Sequence, residues 1–216
     1  MVRKRNVSSS VDTRENLLRL AARSFATQGY AATTMRSIAE QAGIEAASIY
    51  YHFSSKEEMV DVVMEHGGES ILTHIRDHVD AVPDANAEGR FKAALIGQMS
   101  AVIKFGDYAL AHGRLLSQLP DKVRDKQVRR RAKHQQYWTT VLEDLRKEGF
   151  LREDVDIALA RVFVLGFVNS VQTWFDPKKG TLEKVAEQLC DIFFDGVRPN
   201  GKTRKPGRKS ELAASS

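Results

Sequence analysis

Residues 46–59 read AASIYYHFSSKEEM: small side chains, two adjacent tyrosines, a histidine, and a lysine behind two serines. Tyrosine hydroxyls, an imidazole and an ammonium suit phosphate oxygens, and the free N–H groups of a helix start add to them. Ala46, Ala47 and Ser48 are slim enough to let a backbone approach base edges, and alanine methyls can meet thymine methyls. The alternative is a local aromatic cluster. At helical spacing Tyr50, Tyr51 and His52 point in three directions, so one ring is expected to be partly buried. Tyr50 is the expected half-core ring, with Tyr51 and His52 facing outward. Lys56 stands at a helix N-terminus, where a positive charge is unfavourable without an anion, so it is expected to hold a phosphate.

Other chemistry is sparse. His74 and His78 lie four apart, the spacing of a metal pair, but no third ligand stands nearby, so a surface pair and no metal are expected. No paired carboxylates, nucleophile elbow or cofactor fingerprint occurs, so neither an enzyme nor a cofactor is expected. Cys190 is the only cysteine, which excludes an intramolecular disulfide and a cysteine zinc cluster. The basic start MVRKRNVSSS is followed by no apolar stretch of the secretory kind, and runs such as VFVLGFV at 162–168 are too short to span a bilayer. A cytoplasmic chain with no membrane partner is the expectation.

The 216 residues carry a net charge of +5, unevenly placed. Residues 1–56 hold 8 basic and 4 acidic side chains, residues 57–197 hold 19 and 23, and residues 198–216 hold 6 and 1. Basic ends on an acidic body suggest that only the ends meet a polyanion.

The elements that would position these groups are all helical. Leu17, Leu18, Ala21, Ala22 and Phe25 make a helical stripe, capped at Asp12 or Thr13 and ended by Gly29. TTMRSIAEQAG gives a second short helix and IEAASIYYHF a third. Ser54 with Glu57 and Ser55 with Glu58 form overlapping capping boxes for a long helix reaching about Val82. Further helices are expected at about 86–105, 108–117, 121–148, 155–175 and 181–195. The helix at 155–175 is apolar nearly all round and is expected to be buried on most faces. Gly67-Gly68 inside the long helix costs about 1 kcal/mol per glycine relative to alanine, which suggests either close packing or a hinge.

The second and third helices, joined across AGIEA, have the helix-turn-helix pattern, whose second helix enters the major groove. The stretch FATQGYAATTMRSIAEQAGIEAASIYYHFSSKEEMV resembles the DNA-binding segment of the TetR family of bacterial transcriptional regulators. The likeness is close over about 13–60 and architectural beyond. It implies an all-α homodimer: an N-terminal three-helix helix-turn-helix domain reading a palindromic operator in double-stranded DNA, and a larger helical domain that binds a small-molecule effector and dimerises. The divisions expected are a flexible basic arm at 1–12, the DNA-binding domain at 13–59, the ligand and dimer domain at 60–197, and a disordered basic tail at 198–216. By this resemblance Thr34 and Lys56 meet phosphates and Arg36 a base or backbone. Glu45, Ala46, Ala47 and Ser48 lie at the reading end, and Tyr50, Tyr51 and His52 approach the backbone. Many family members carry bulkier or hydrogen-bonding residues at 46 and 47, so more of the readout is left to Arg36 and to DNA shape.

In the body, a ligand pocket needs apolar walls and a few polar groups. Phe105, Tyr108, Leu115, Leu116, Tyr137, Trp138 and Phe167 are expected walls, with His112, Arg161 and Asn169 as orienting groups, and Arg114, His134 and Gln172 as further ones. Arg161 interrupts an apolar helix and is expected to meet an acidic side chain or an acidic ligand. The body is also similar to family members that sense acyl-CoA thioesters, on NSVQTWFDP followed by an amphipathic helix. The run RDKQVRRRAKH at 124–134 is expected to be a solvated face, or else an attractor of an anionic ligand. Leu165, Val168, Val171, Leu182, Val185, Leu189 and Phe193 are expected at a four-helix dimer interface. The function expected is a ligand-responsive repressor, with a helical adaptor or membrane-surface protein as the alternative.

Overall fold

The computed structural model describes residues 7–197, with side chains from 11 onward, and among these it has eight α-helices and no strand. They are α1 (Val7–Ala32), α2 (Met35–Gln41), α3 (Lys56–Asp80), α4 (Ala87–Lys104), α5 (Gly106–Arg114), α6 (Asp121–Lys147), α7 (Ile157–Trp174) and α8 (Leu182–Val197). Short 3-10 turns lie at Ser48–Tyr51 and Leu116–Gln118. The basic tail expected at 198–216 and the first six residues of the expected arm lie outside the described residues. Helix α1 begins at Val7, ahead of the cap expected at Asp12 or Thr13. It kinks at Gly29, whose φ of 81° is in the left-handed region that glycine tolerates.

Two apolar clusters hold the chain together. One contains Leu17, Phe25, Ile38, Ile49, Phe53, Met59, Val63 and Met64, the core of the N-terminal unit. Ala111, Leu115, Leu119 and Val123 complete it from α5, the following turn and α6. The other contains Ile71, Ile75, Phe91, Leu95, Met99, Trp138, Leu142, Val164, Val168, Val171, Leu189 and Phe193. Helix α3 feeds both, so the two units share a rigid element and an interdigitated joint.

The two glycines of α3 mark the changeover. A Cβ on Gly67 would stand 2.8 Å from the Tyr108 carbonyl oxygen, and one on Gly68 would stand 3.2 Å from His112 Nε2. Helix α3 is continuous through them. Close approach of α3 and α5 therefore accounts for both residues.

Helix α7 departs from its expected burial. Ala160, Val164, Val168 and Val171 face the core, but Leu159, Val162, Phe163 and Trp174 are exposed, as is Ile192 on α8. At 18 residues α7 is also long and apolar enough to cross a bilayer by length and composition, which the shorter runs considered singly did not suggest. A third, mixed side lines a cavity, with Arg161, Asn169 and Gln172 beside Val162 and Leu165.

Candidate nucleic-acid interface and internal cavity

Helix α2 is fixed by its first turn. Thr34 Oγ1 accepts from the Ser37 amide at 3.0 Å, and the Ser37 hydroxyl accepts from the Thr34 amide at 3.2 Å, a reciprocal cap. Arg36 projects one residue into the helix, 81% exposed and paired to Glu40 at 2.9 Å. An exposed i,i+4 pair of this kind is worth only a few tenths of a kcal/mol, so the guanidinium is free to exchange partners.

The expected third helix is a single 3-10 turn, Ser48–Tyr51, preceded by turn residues at Ala46 and Ala47. Ile49 and Phe53 are its anchors, 0% and 1% exposed. Glu45, Ala46, Ala47, Tyr50 and Tyr51 are exposed, while Ser48 and His52 are partly buried. Tyr51 stands 89% exposed and Tyr50 56%. Tyr50 thus projects further than expected, because Ile49 and Phe53 already fill the space beneath it.

Lys56 is anchored within the protein itself. Its ammonium donates to the Tyr30 carbonyl at 2.9 Å and the Thr33 carbonyl at 3.0 Å, and lies 4.2 Å from the Tyr30 ring centre. Those carbonyls end α1, so Lys56 ties the α1–α2 turn to the start of α3. Tyr30 reinforces the tie, its hydroxyl donating to Glu57 Oε1 at 2.8 Å. Burial first, then the hydrogen bond to Glu57, raises the Tyr30 phenol pKa, and the same bond lowers that of Glu57. Of the two expected capping boxes only Ser55 caps, accepting from the Glu58 amide at 3.1 Å, while Glu58 Oε2 receives the Ser54 amide at 2.7 Å.

The body holds a cavity of about 490 Å³ between α3, α4, α5, α6 and α7. His112, Arg161 and Asn169 line it as expected, with Arg114, His134 and Gln172. The expected walls are elsewhere. Leu115 is in the N-terminal core, and Leu116 and Tyr108 pack against that core. Phe105 and Phe167 pack on the larger core, and Trp138 is fully buried in it. Tyr137 lines a separate cleft of about 700 Å³ with Arg76 and Arg90. For Tyr108 the reason is that α5 is seated against α3 at Gly67, which holds Tyr108 in the joint, whereas Trp138 and Phe167 turn toward the larger core from α6 and α7.

Sequence reasoning missed the residue that organises this cavity. Gln98, 1% exposed, donates to Asn169 Oδ1 at 2.9 Å. Its oxygen lies 2.8 Å from His134 Nε2 and 3.3 Å from Trp138 Nε1. An amide oxygen only accepts, so His134 carries its proton on Nε2. The signal was a lone glutamine amid the apolar run ALIGQMSAV. Burial, followed by the nearby Arg131 charge, lowers the His112 pKa to about 4. Burial and the charges of His112 and Arg131 do the same for His134. Both rings are neutral near pH 7.

Arg161 donates to Thr139 Oγ1 at 2.6 Å and has no ion pair among the described residues. Its expected carboxylate is therefore absent from the described protein surface around it. Of the residues expected at a dimer interface, Val168, Val171, Leu189 and Phe193 are buried within their own chain, so a second copy cannot reach them. Leu165, Leu182 and Val185 are partly buried. On α7 and α8 the exposed large apolar side chains are Leu159, Val162, Phe163, Trp174 and Ile192, with Ile103 on α4 and Val128 on α6 exposed singly.

Comparison with known proteins places this architecture. Residues 17–63 match the family described as bacterial regulatory proteins, tetR family, and residues 84–197 match the tetracyclin repressor-like C-terminal domain. The HTH-type transcriptional repressor KstR2 of Mycobacterium tuberculosis is 31% identical over 198 residues, covering 90% of this chain and 98% of that one. A structure of that organism's ketosteroid transcriptional regulator KstR2 superposes with a TM-score of 0.73 at 28% identity, covering 93% and 98% of the two chains. The fold is shared with AibR, solved in complex with isovaleryl coenzyme A and operator DNA, at a TM-score of 0.73, 22% identity, and coverage of 84% and 98%. The chain belongs to the TetR family of bacterial transcriptional regulators, and it is a ligand-responsive DNA-binding regulator of transcription.

Proposed function

We propose that the protein is a cytoplasmic, non-enzymatic repressor that binds a palindromic operator as a homodimer and is released when an amphipathic acyl thioester fills the 490 Å³ cavity. The observation that carries this reading is the cavity's chemistry. Arg114, Arg131 and Arg161 line it together with the Gln98 network, and no carboxylate does. Such a lining favours a ligand with an apolar body and anionic or carbonyl oxygens. The complex of AibR with isovaleryl coenzyme A and operator DNA is in keeping with that class.

On the DNA side, the division at 13–59 describes the reading unit, with Thr34, Arg36, Glu45, Ala46, Ala47, Ser48, Tyr50, Tyr51 and His52 on its operator face. Arg36 supplies base preference. Tyr51, the most exposed, and Tyr50 hold the backbone. Lys56 acts through the α1–α2 turn that it fastens, setting the angle of Thr34 and Arg36. Dimerisation proceeds through Leu159, Val162, Phe163 and Ile192, exposed apolar side chains clustered on α7 and α8, and two-fold symmetry then matches a palindromic site.

The route from cavity to DNA is short. Helix α6 lines the cavity with Arg131 and His134. From the same helix, Arg130 and Gln127 reach Asp61 on α3 at 2.8 and 2.6 Å, Arg130 also pairs with Glu65, and Lys126 with Asp61. A ligand that shifts α6 therefore shifts the start of α3. Selecting duplex DNA from the protein's own genome, then adding octanoyl-coenzyme A, tests the reading. Release of the selected duplex supports it, and retention at saturating ligand contradicts it.

A further inference from the structure

Helix α1 leaves its helical course at Gly29, with φ 81° and ψ 173°. The Tyr30 amide just after the break is taken by a side chain 88 residues further along, Gln118 Oε1, at 3.1 Å. A Cβ on Gly29 would stand 2.6 Å from that same oxygen. Glycine is thus required twice at one position, once for the left-handed backbone and once for clearance to the acceptor. Gln118 ends the 3-10 turn Leu116–Gln118 between α5 and α6. Its own amide donates to the Leu115 carbonyl at 2.8 Å, and Leu115 and Leu119 are buried in the N-terminal core. The turn's backbone is therefore fixed, while Gln118 itself is exposed. A neutral hydrogen bond that water can reach is worth about three- to tenfold in an equilibrium. That is enough to bias an orientation and little enough to be released.

The bond holds a segment that leads directly to the operator face. Three polar groups of Tyr30 are fixed from outside α1: the amide by Gln118, the carbonyl by Lys56 at 2.9 Å and the hydroxyl by Glu57 at 2.8 Å. Thr33 closes the turn, its hydroxyl donating to the Gly29 carbonyl at 2.8 Å and its carbonyl accepting from Lys56 at 3.0 Å. Thr34 then caps α2. Lys56 and Glu57 belong to α3, so Gln118 is the tether that comes from beyond it. On the other side, Gly113 and Arg114 at the end of α5 line the main cavity, and Gln118 follows Arg114 by four residues.

We infer that Gln118 is a positioning residue for operator binding. Seated over the Cβ-free face of Gly29, it holds the α1–α2 turn, and with it Thr34 and Arg36, in register with the body, and it lets go when a ligand displaces the end of α5. It acts through Tyr30 and touches no DNA, so it sets affinity without base preference. The release step rests on the effector reading proposed above; the positioning step does not.

Two measurements on the full chain test it: hydrogen exchange of the Tyr30 amide by NMR, and anisotropy of a genome-selected duplex with and without octanoyl-coenzyme A. In the wild type the Tyr30 amide should be protected, and octanoyl-coenzyme A should reduce the protection. Gln118→Leu should lose the protection and weaken ligand-free duplex binding about three- to tenfold, equally across operator variants. The difference made by octanoyl-coenzyme A should shrink by a similar factor. Gln118→Glu, which keeps an accepting oxygen, should restore the Tyr30 protection. Tyr30 protection or duplex affinity unchanged in Gln118→Leu overturns the positioning role, as does a loss of protection that Gln118→Glu does not restore, which would mark a packing role instead. A wild-type protein indifferent to octanoyl-coenzyme A overturns the effector reading and the release step, while the effects of Gln118→Leu on the ligand-free protein still uphold positioning.

Discussion

Lys56 occupies two of its three N–H groups on the carbonyls of Tyr30 and Thr33, so its removal leaves the end of α1 without its cap from outside the helix. Lys56→Ala is expected to cost on the order of 1 kcal/mol of stability and to weaken operator binding across sequences with base preference intact. Arg36→Ala should instead relax base preference and leave the melting temperature unchanged. Electrophoretic mobility shifts on operator variants, alongside thermal melts, separate the two. Gln98 was legible only as an oddity in an apolar run, because its partners His134, Trp138 and Asn169 come from two other helices. Gln98→Leu leaves three polar groups unmatched and should destabilise the fold by about 1–3 kcal/mol while blunting effector release. The histidines supply a pH test. His112 and His134 have folded-state pKa values near 4 against about 6.5 unfolded. The unfolded chain therefore takes up their protons first, and stability should hold above pH 6.5 and fall between pH 6.5 and 4. His112→Gln with His134→Gln should flatten that slope in urea melts, and an unaltered slope would assign it to other groups.

At the scale of elements, helix positions were readable because caps and glycines are local signals, and α2, α4, α6, α7 and α8 fall close to their expected spans. The 3-10 form of residues 48–51 was less legible. Ile49 and Phe53 are four apart, which is equally the spacing of an α-helical face, and only their burial against α1 and α2 fixes the tight turn. Which face of α5 turns inward was not legible either, since it depends on a Cβ-free patch at Gly67 and Gly68 on another helix. That patch yields a prediction against the hinge alternative. Gly67→Ala places a methyl against the Tyr108 carbonyl and should cost roughly 1–3 kcal/mol as overpacking, with α5 displaced. A hinge would instead tolerate the methyl and lose only flexibility, so a stability unchanged in urea titration would favour the hinge. The turn carrying Gln118, whose side-chain oxygen accepts the Tyr30 amide at 3.1 Å, ties the end of α1 to the segment after α5.

For the whole molecule, all-α architecture and the N-terminal reading unit could be inferred from periodicity and from the 46–59 stretch. The partition of apolar residues between core and surface could not. Helix α7 has three faces with three fates, and a run such as RVFVLGFVNS does not say which valine meets a second chain. The exposed set of Leu159, Val162, Phe163 and Ile192 gives a direct test of assembly. Phe163→Glu should convert a dimer to a monomer in analytical ultracentrifugation and abolish tight operator binding, whereas Val168→Ala should act on stability alone. If Phe163→Glu stays dimeric, another surface makes the interface. The central claim is that ligand in the body controls DNA binding by the N-terminal unit, through the α6–α3 contacts at Asp61. Its most direct measurement is fluorescence anisotropy of a labelled, genome-selected duplex titrated with protein, with and without octanoyl-coenzyme A, for the wild-type chain and for Asp61→Asn with Glu65→Gln. The account predicts tight, salt-dependent binding that the ligand weakens at least about tenfold in the wild type and much less in the variant. Equal release in both proteins, or no release in either, would contradict it.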